Sequence, residues 1–390
     1  MRAVLQRSVN LIMGLRSPSD LASLAVAARA PIVWSAYFSC RPAPRRIDRG
    51  LPRRYNTVMR VALIGVGRIG MSHAEVLRAH PDVTELLIAD LDLPRARQVA
   101  DKLGASAADS VDLAFSGVDA VIIAAATPAH AELIVRGARA GLPVFCEKPV
   151  AIDVPTTRRV LDAVREAGTE VHVGFQRRFD GGYRNARQAL RHGELGELYR
   201  VHMVTADARP PHPSYVAVSG GIFRDCHIHD FDILRWMTGR EVVEVYAIGS
   251  NRGADCFRAA GDVDNAAALL RMDDGVLVTM QGSRYNGGGH DVRMELSGSA
   301  GSRVVGLDER AAMRSAEPGM RFPTGQPYQD FWERFTPAYV AEINAFIDVA
   351  LGRARSPCTV AEALEALYIA EAADLSRRAA RPVRLAEVRG

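Results

Sequence analysis

The sequence predicts an α/β protein in two parts: a parallel sheet with helices on both faces, followed by an α+β part built on a large, mostly antiparallel sheet. Three observations carry the prediction. From Met59 onward, short apolar runs alternate with helix-length segments, the pattern of a doubly wound sheet. Gly65, Gly67 and Gly70 stand between the first apolar run and the first helix. Beyond residue 178 the strands lengthen and alternate apolar with polar residues, as a sheet with one covered face requires.

Taken in order, residues 61–64 form a fully apolar run suited to a buried strand. A helix over 69–80, a strand over 85–89 and a helix over 93–103 follow, the last stopped by Gly104. Strand 118–125, helix 129–140 closed by Gly141, strand 143–146, helix 156–167 and strand 170–175 complete the first part. In the second part, strands are expected over 198–206 and 241–248. Residues 266–272 and 276–281 read as a hairpin across Asp273-Asp274-Gly275, and 292–297 with 303–307 as another across 298–301. Helices over 337–351 and 360–378 end the chain. The domain reading is therefore 59–178 for the nucleotide-binding part and 179–390 for the second, with 1–58 as a leader.

That leader holds Arg2, Arg7, Arg16, Arg29, Arg41, Arg45, Arg46, Arg49, Arg53 and Arg54 against only Asp20 and Asp48. Such composition suits either a targeting segment or a leader outside the folded protein. The second reading is preferred, because Met59 opens a strand directly. That excess of arginine more than accounts for the formal net charge of +4, so the remainder is slightly acidic and gives no basic surface for nucleic acid. Five cysteines, odd in number and without CxxC spacing, suit a reducing, cytoplasmic setting. No apolar run reaches the ~18 residues of a membrane span.

The glycines form GxGxxG at a strand-to-helix turn. Their separate tasks are a tight turn, close backbone approach to a pyrophosphate, and close helix-to-strand packing. Asp90 stands about twenty residues on, at the end of the next strand, where a carboxylate can accept ribose hydroxyls and repel the extra phosphate of NADP. Together these features predict a Rossmann domain with NAD as cofactor. Asp92 reads as the N-cap of the following helix.

Lysine occurs only at Lys102 and Lys148 in a chain otherwise reliant on arginine. Lys148, in Glu147-Lys148-Pro149 at the carboxyl end of an apolar strand, therefore calls for a chemical reason. An ammonium is a compact donor suited to polarising a substrate hydroxyl, whereas a guanidinium is a wide fork. Ligands of such sheets bind outside the carboxyl ends of the strands. Farther on, Asp225 and His229 stand four apart in a segment read as one helix, with Asp232 near the same stripe. Oxidation of a secondary alcohol needs a base; His229 is suited to that task, with Asp225 as its polar partner. A metal at this stretch is disfavoured, since His227 and His229 would point about 200° apart on a helix.

From Met59 to about Arg381 the chain resembles the glucose-fructose oxidoreductase and inositol dehydrogenase (Gfo/Idh/MocA) family, most closely its inositol-oxidising branch. The residues that carry the resemblance are the Gly65 loop, Glu147-Lys148-Pro149, the segment 174–180, Ser219-Gly220-Gly221-Ile222-Phe223, His229-Asp230-Phe231-Asp232 and Gly261-Asp262-Val263-Asp264. It implies NAD-dependent oxidation of a cyclitol hydroxyl, with Lys148, Asp225 and His229 as catalytic trio. Cofactor contacts are expected at Gly65, Gly67, Arg68, Ile69, Gly70 and Asp90, and also at Thr127, His130 and Glu147. Arg178 and His290 are expected at the substrate. A homotetramer built through the open sheet of the second part is implied, with a small polyol as partner and no resident metal. One departure stands out: Gly288 and His290 occupy positions where similar inositol enzymes carry tyrosines, which opens the choice to a differently substituted polyol. Another sugar dehydrogenase, a glycosidase using NAD transiently, and an NAD-binding regulator remain as alternatives.

Overall fold

The computed structural model describes residues 59–389; the leader expected over 1–58 lies outside them. Strand β1 (Met59–Ile64) is buried along nearly all its length. It pairs in parallel with β2 (Val83–Ala89) and β4 (Ala120–Ile123). With β3 (Ser106–Ala107), β5 (Val144–Glu147) and β6 (Val171–Gly174), these strands give the order β3-β2-β1-β4-β5-β6. Helices α1 (Arg68–Ala79), α2 (Leu93–Leu103), α3 (Thr127–Arg139) and α4 (Val154–Ala167) connect them. Parallel pairing of this kind buries both faces, which is why these strands read as continuous apolar runs. Asp92 caps α2 by accepting from Arg95 N, and Gly104 ends it in the left-handed region, both as the sequence predicts.

A buried turn, Gln176–Phe179, leads into α5 (Gly181–Arg191) and then β7 (Leu198–Ala206). Short helices α6 (Pro213–Val216) and α7 (Ile222–Asp225) precede α8 (Ile228–Thr238). Strand β8 (Val242–Ser250), helix α9 (Asp255–Ala259), and strands β9 (Asn265–Met272), β10 (Leu277–Ser283), β11 (Asp291–Gly298) and β12 (Ser302–Val305) follow. Both expected hairpins form, β9 with β10 and β11 with β12. Completed by β13 (Val383–Arg384), the sheet runs β12-β11-β7-β10-β9-β8-β13. It is antiparallel except for β7 beside β10, which pair in parallel from Arg200↔Leu277 to Ala206↔Ser283. Val201, Met203, Val278 and Met280 face inward on these two strands, while His202 and Thr279 face outward.

The chain ends with α10 (Phe331–Ala350), α11 (Val360–Ala379) and α12 (Ala386–Arg389). Helix α10 begins six residues before the expected start at 337. A proline favours the first helical turn, but Asp330 caps the helix earlier by accepting from Glu333 N. Pro337 then falls inside the helix. Although expected to pack within the second part, α10 returns to the first sheet: Ile343, Phe346 and Ile347 are fully buried in one core with Leu63, Ile88 and Phe145. Burying each such side chain is worth roughly 1.5–3 kcal/mol, so this helix fastens the end of the chain to the nucleotide half. No helix among the described residues is long and apolar enough to cross a membrane.

Candidate active site

At the β1–α1 turn the three glycines differ in what a side chain would meet. Gly65 has φ +92°, and a Cβ there would fall 2.6 Å from the Ala125 backbone. At Gly70 it would lie 2.0 Å from the Gly65 carbonyl. Around Gly67 there is open space within 4 Å. Gly67 is also the N-cap of α1, with no side-chain cap on the first-turn N–H groups. Open space beside uncapped N–H groups is what a pyrophosphate requires, so the residues present fit a dinucleotide. Arg68 and Ile69 open the helix there, and the Arg68 guanidinium lies over the Phe331 ring at 5.0 Å.

Asp90 follows β2 and steadies the same loop. Its Oδ2 accepts from Val66 N at 2.8 Å and its Oδ1 from Asp92 N at 2.9 Å. Each oxygen keeps a further lone pair for a hydroxyl donor. Thr127 starts α3. Glu147, last in β5, is nearly buried and bonded through Oε1 to His73 Nε2 at 2.7 Å. His130 does not join this set. Its ring nitrogens lie 2.7 Å from the Pro149 carbonyl and 2.9 Å from the Ala125 carbonyl, so the ring is wedged between two turns with both nitrogens facing backbone.

Just past β5, Lys148 reaches across to the second half of the chain. Its Nζ donates to the Asp225 carbonyl at 2.9 Å and to Asp225 Oδ1 at 3.2 Å. Tyr215, from α6, donates to the same Oδ1 at 2.8 Å, and Arg284 Nη2 donates to Oδ2 at 2.8 Å. Burial opposes the Lys148 charge, but the Asp225 carboxylate outweighs it and holds the ammonium above its ordinary value. Burial also acts to raise the Asp225 carboxyl, yet Lys148 and Arg284 bring it down to about 2. The pair is thus charged at every pH near neutrality.

Asp225 is not the partner of His229, contrary to the sequence expectation. The segment is not one helix: His227 N bonds back five residues to the Ile222 carbonyl, and His229 N only three residues to Cys226. That change of winding separates α7 from α8. The imidazole with a carboxylate partner is instead His227, whose Nδ1 lies 2.8 Å from Asp230 Oδ2. His227 packs so closely that a Cβ on Gly282 would come within 2.0 Å of its Nε2. His229 is half-buried, edge-on to Phe175 with centroids 5.7 Å apart, and its Nδ1 has no partner among the described residues. Burial first, then the charges of Lys148 and Arg177, push its imidazole well below the ordinary value. The ring is therefore neutral and shares its surroundings with the Lys148 ammonium.

Arg178 is also corrected. Only 3% exposed, it bonds Asp232 through Nε (2.8 Å) and Nη2 (2.6 Å), and Glu362 and the Pro357 carbonyl through Nη1. Asp232 is thereby withdrawn from the Asp225 stripe. Arg177 is similarly spent on Asp230 and Thr205. Both arginines tie the turn after β6 to α8 and β7, so Arg178 braces the site from behind rather than meeting a substrate.

His290 lies at the far end of a polar chain from Lys148. Its Nδ1 is 3.5 Å from Asp207 Oδ1, Arg284 links Asp207 to Asp225, and its Nε2 is buried without a partner among the described residues. Gly288 leaves no room for a tyrosine: a Cβ there would meet the Ala312 carbonyl at 2.3 Å. Tyr215, Arg284 and Asp207 were missed in the sequence. Arg284 and Asp207 each follow a strand of the parallel β7–β10 pair, and their approach depends on a pairing that hairpin signals do not disclose. A hollow of about 530 Å³ lies elsewhere, on the open face of the second sheet around His202, Ile248 and Gln281. Among the described residues no group of three or more His, Cys, Asp or Glu is arranged to hold a metal.

Residues 59–175 match the oxidoreductase family with an NAD-binding Rossmann fold, and residues 183–304 match the GFO/IDH/MocA C-terminal domain. The chain belongs to the GFO/IDH/MocA oxidoreductase family. A myo-inositol dehydrogenase of Streptomyces leeuwenhoekii, Hyg17, is 35% identical over 82% of this chain and 97% of its own. A myo-inositol 2-dehydrogenase of Thermotoga maritima is 35% identical over 85% of this chain and 100% of its own. Among solved members of the family, scyllo-inositol dehydrogenase from Lactobacillus casei, crystallised with NAD(H) and scyllo-inositol, is 26% identical. It superposes with a TM-score of 0.75 over 84% of this chain and 99% of that one.

Proposed function

We propose that the protein is an NAD-dependent dehydrogenase oxidising one secondary hydroxyl of a cyclitol, myo-inositol or a related inositol, to the ketone. The observation that carries this reading is the meeting of Lys148, from the carboxyl end of β5, with Asp225 from the other half of the chain, 2.9 and 3.2 Å away, next to a neutral His229. Support comes also from relatives named for myo-inositol and scyllo-inositol.

Bound NAD supplies the hydride acceptor. His229, uncharged at neutral pH, takes the hydroxyl proton. Lys148, permanently charged, donates to the same oxygen and stabilises negative charge developing there, as fixed donors do in a site sheltered from water. Asp225 fixes the ammonium, with Tyr215 and Arg284 holding the carboxylate in turn. For the cofactor we assign the pyrophosphate to Gly65, Gly67 and Gly70 with Arg68 and Ile69, the adenosine ribose to Asp90, and the nicotinamide side to Thr127 and Glu147. His290 is assigned to the substrate wall.

The reading includes a cytoplasmic homotetramer. The described cysteines are all unpaired, and Tyr246, Ile248, Leu269 and Leu277 stand exposed on the open face of the second sheet, an apolar surface suited to another copy of the chain. Sedimentation is expected to give a particle of four chains; a monomer would remove this part.

A panel of inositol isomers and aldoses, followed by NADH absorbance, tests the activity. Net NADH is expected with at least one inositol. Turnover of a glycoside without net NADH, or binding of NAD with no turnover across the panel, would sink the reading. Asp90→Ala is expected to weaken NAD by about tenfold, the worth of one hydrogen bond to a charged group, and to reduce discrimination against NADP. An unchanged NAD-to-NADP preference would show that the ribose lies elsewhere.

A further inference from the structure

One buried carboxyl takes no part in the site above. Glu342, on the inner face of α10, is inaccessible to solvent, and neither of its oxygens has a hydrogen-bond partner among the described residues. Its place follows from side chains a turn away. Tyr339 packs against His73 with centroids 6.1 Å apart, and Phe346 meets Phe145 at 5.7 Å and His172 at 6.2 Å. Glu147 stands two residues after Phe145 in β5 and so points to the same side of the sheet, where His73 holds its Oε1. Glu342 therefore faces Glu147 across the gap between α10 and β5.

Every element around that gap contributes a titratable or charged group: Glu147 from β5, His172 from β6, His73 from α1, Asp232 from α8, Arg178 from the turn after β6, and Tyr339 from α10 itself. Arg178 is already held by Asp232 and Glu362. An unpartnered carboxylate there would bear its desolvation and the repulsion of two further carboxylates, which the already paired Arg178 offsets only in part. A single proton removes both terms and turns the group into a donor.

We propose that Glu342 is a neutral carboxylic acid whose proton is shared with Glu147, directly or across one bound water, and that it acts as a positioning residue for the turn carrying Lys148. Burial, and then the charges of Glu147 and Asp232, push its carboxyl well above the ordinary range, in the same direction. The chain Glu342, Glu147, His73 runs from α10 to the phosphate-binding helix, beneath the cofactor loop. Its functional half rests on the dehydrogenase reading; its protonation state does not.

Infrared difference spectra of the full-length protein against Glu342→Gln are expected to show, at neutral pH, the carbonyl stretch of a protonated carboxyl that the variant lacks. NAD titration by intrinsic fluorescence, which uses no substrate, is expected to give Glu342→Gln within about twofold of the parent, and Glu342→Leu about tenfold weaker, the worth of one hydrogen bond to a charged group. The melting temperature of Glu342→Leu should change little, because Glu147 keeps His73 and an apolar side chain in the buried gap offsets the lost bond. The absence of the infrared band overturns the proposal. So does a Leu variant that keeps full NAD affinity, or one that loses affinity only in step with stability. A negative substrate panel touches neither readout, so failure of the dehydrogenase reading is separately visible.

Discussion

Replacing Lys148 by methionine is expected to lower kcat by about 10²–10³-fold, the usual cost of removing one preorganised donor at a developing oxyanion, with NAD affinity little changed. Methionine keeps most of the stem volume and removes only the ammonium. Asp225 is left with Tyr215 and Arg284, so its charge stays compensated and the fold survives. Lys148→Arg is expected to fare little better. A planar fork cannot place one compact donor at once on the Asp225 carbonyl, on its carboxylate and on a substrate oxygen. Single-turnover NADH formation, with NAD titration alongside, measures both quantities. Unimpaired turnover in either variant would remove Lys148 from the chemistry.

His229→Gln is expected to lower kcat by about 10²–10⁴-fold, the range for loss of a positioned general base, and to change the pH profile. An ordinary histidine would gain its proton near pH 6.5. Because the His229 imidazole is held well below that value, the parent is expected to keep kcat/KM flat as pH falls through 6.5 and to lose it only at lower pH. The variant should lack that acid limb. Stability is linked to the same group. Above 6.5 the imidazole is neutral in the folded and the unfolded chain and contributes nothing to the pH dependence. Below 6.5 the unfolded chain takes up a proton that the folded chain refuses, so stability falls as the pH falls. A parent that loses kcat/KM already near 6.5 would contradict the assignment.

The first sheet was readable almost strand by strand, because parallel strands buried on both faces leave continuous apolar runs and three of its four helices begin at a glycine or a capping aspartate. Two elements of the site were readable for the same local reason: the glycine turn with Asp90, and Lys148 as a lysine retained in an arginine-rich chain. The pairing of Asp225 with His229 that the spacing suggested does not form. Its sequence spacing suits a helix, but His227 and Asp230 bond to each other and change the winding between α7 and α8. Arg178 likewise gives no local sign that Asp232 and Glu362 take up its guanidinium.

By itself, the sequence determined what local chemistry specifies: the strand and helix periods, the glycine turn, the acidic residue after the second strand, and the unusual lysine. Only the tertiary structure decided who meets whom. The parallel β7–β10 pair brings Asp207 and Arg284 together, α10 crosses back to the first sheet, and the carboxylate of Asp225 goes to Lys148. Those outcomes turn on contacts between residues far apart in the chain, where charge pairing and exclusion of water choose among partners that are equivalent in sequence.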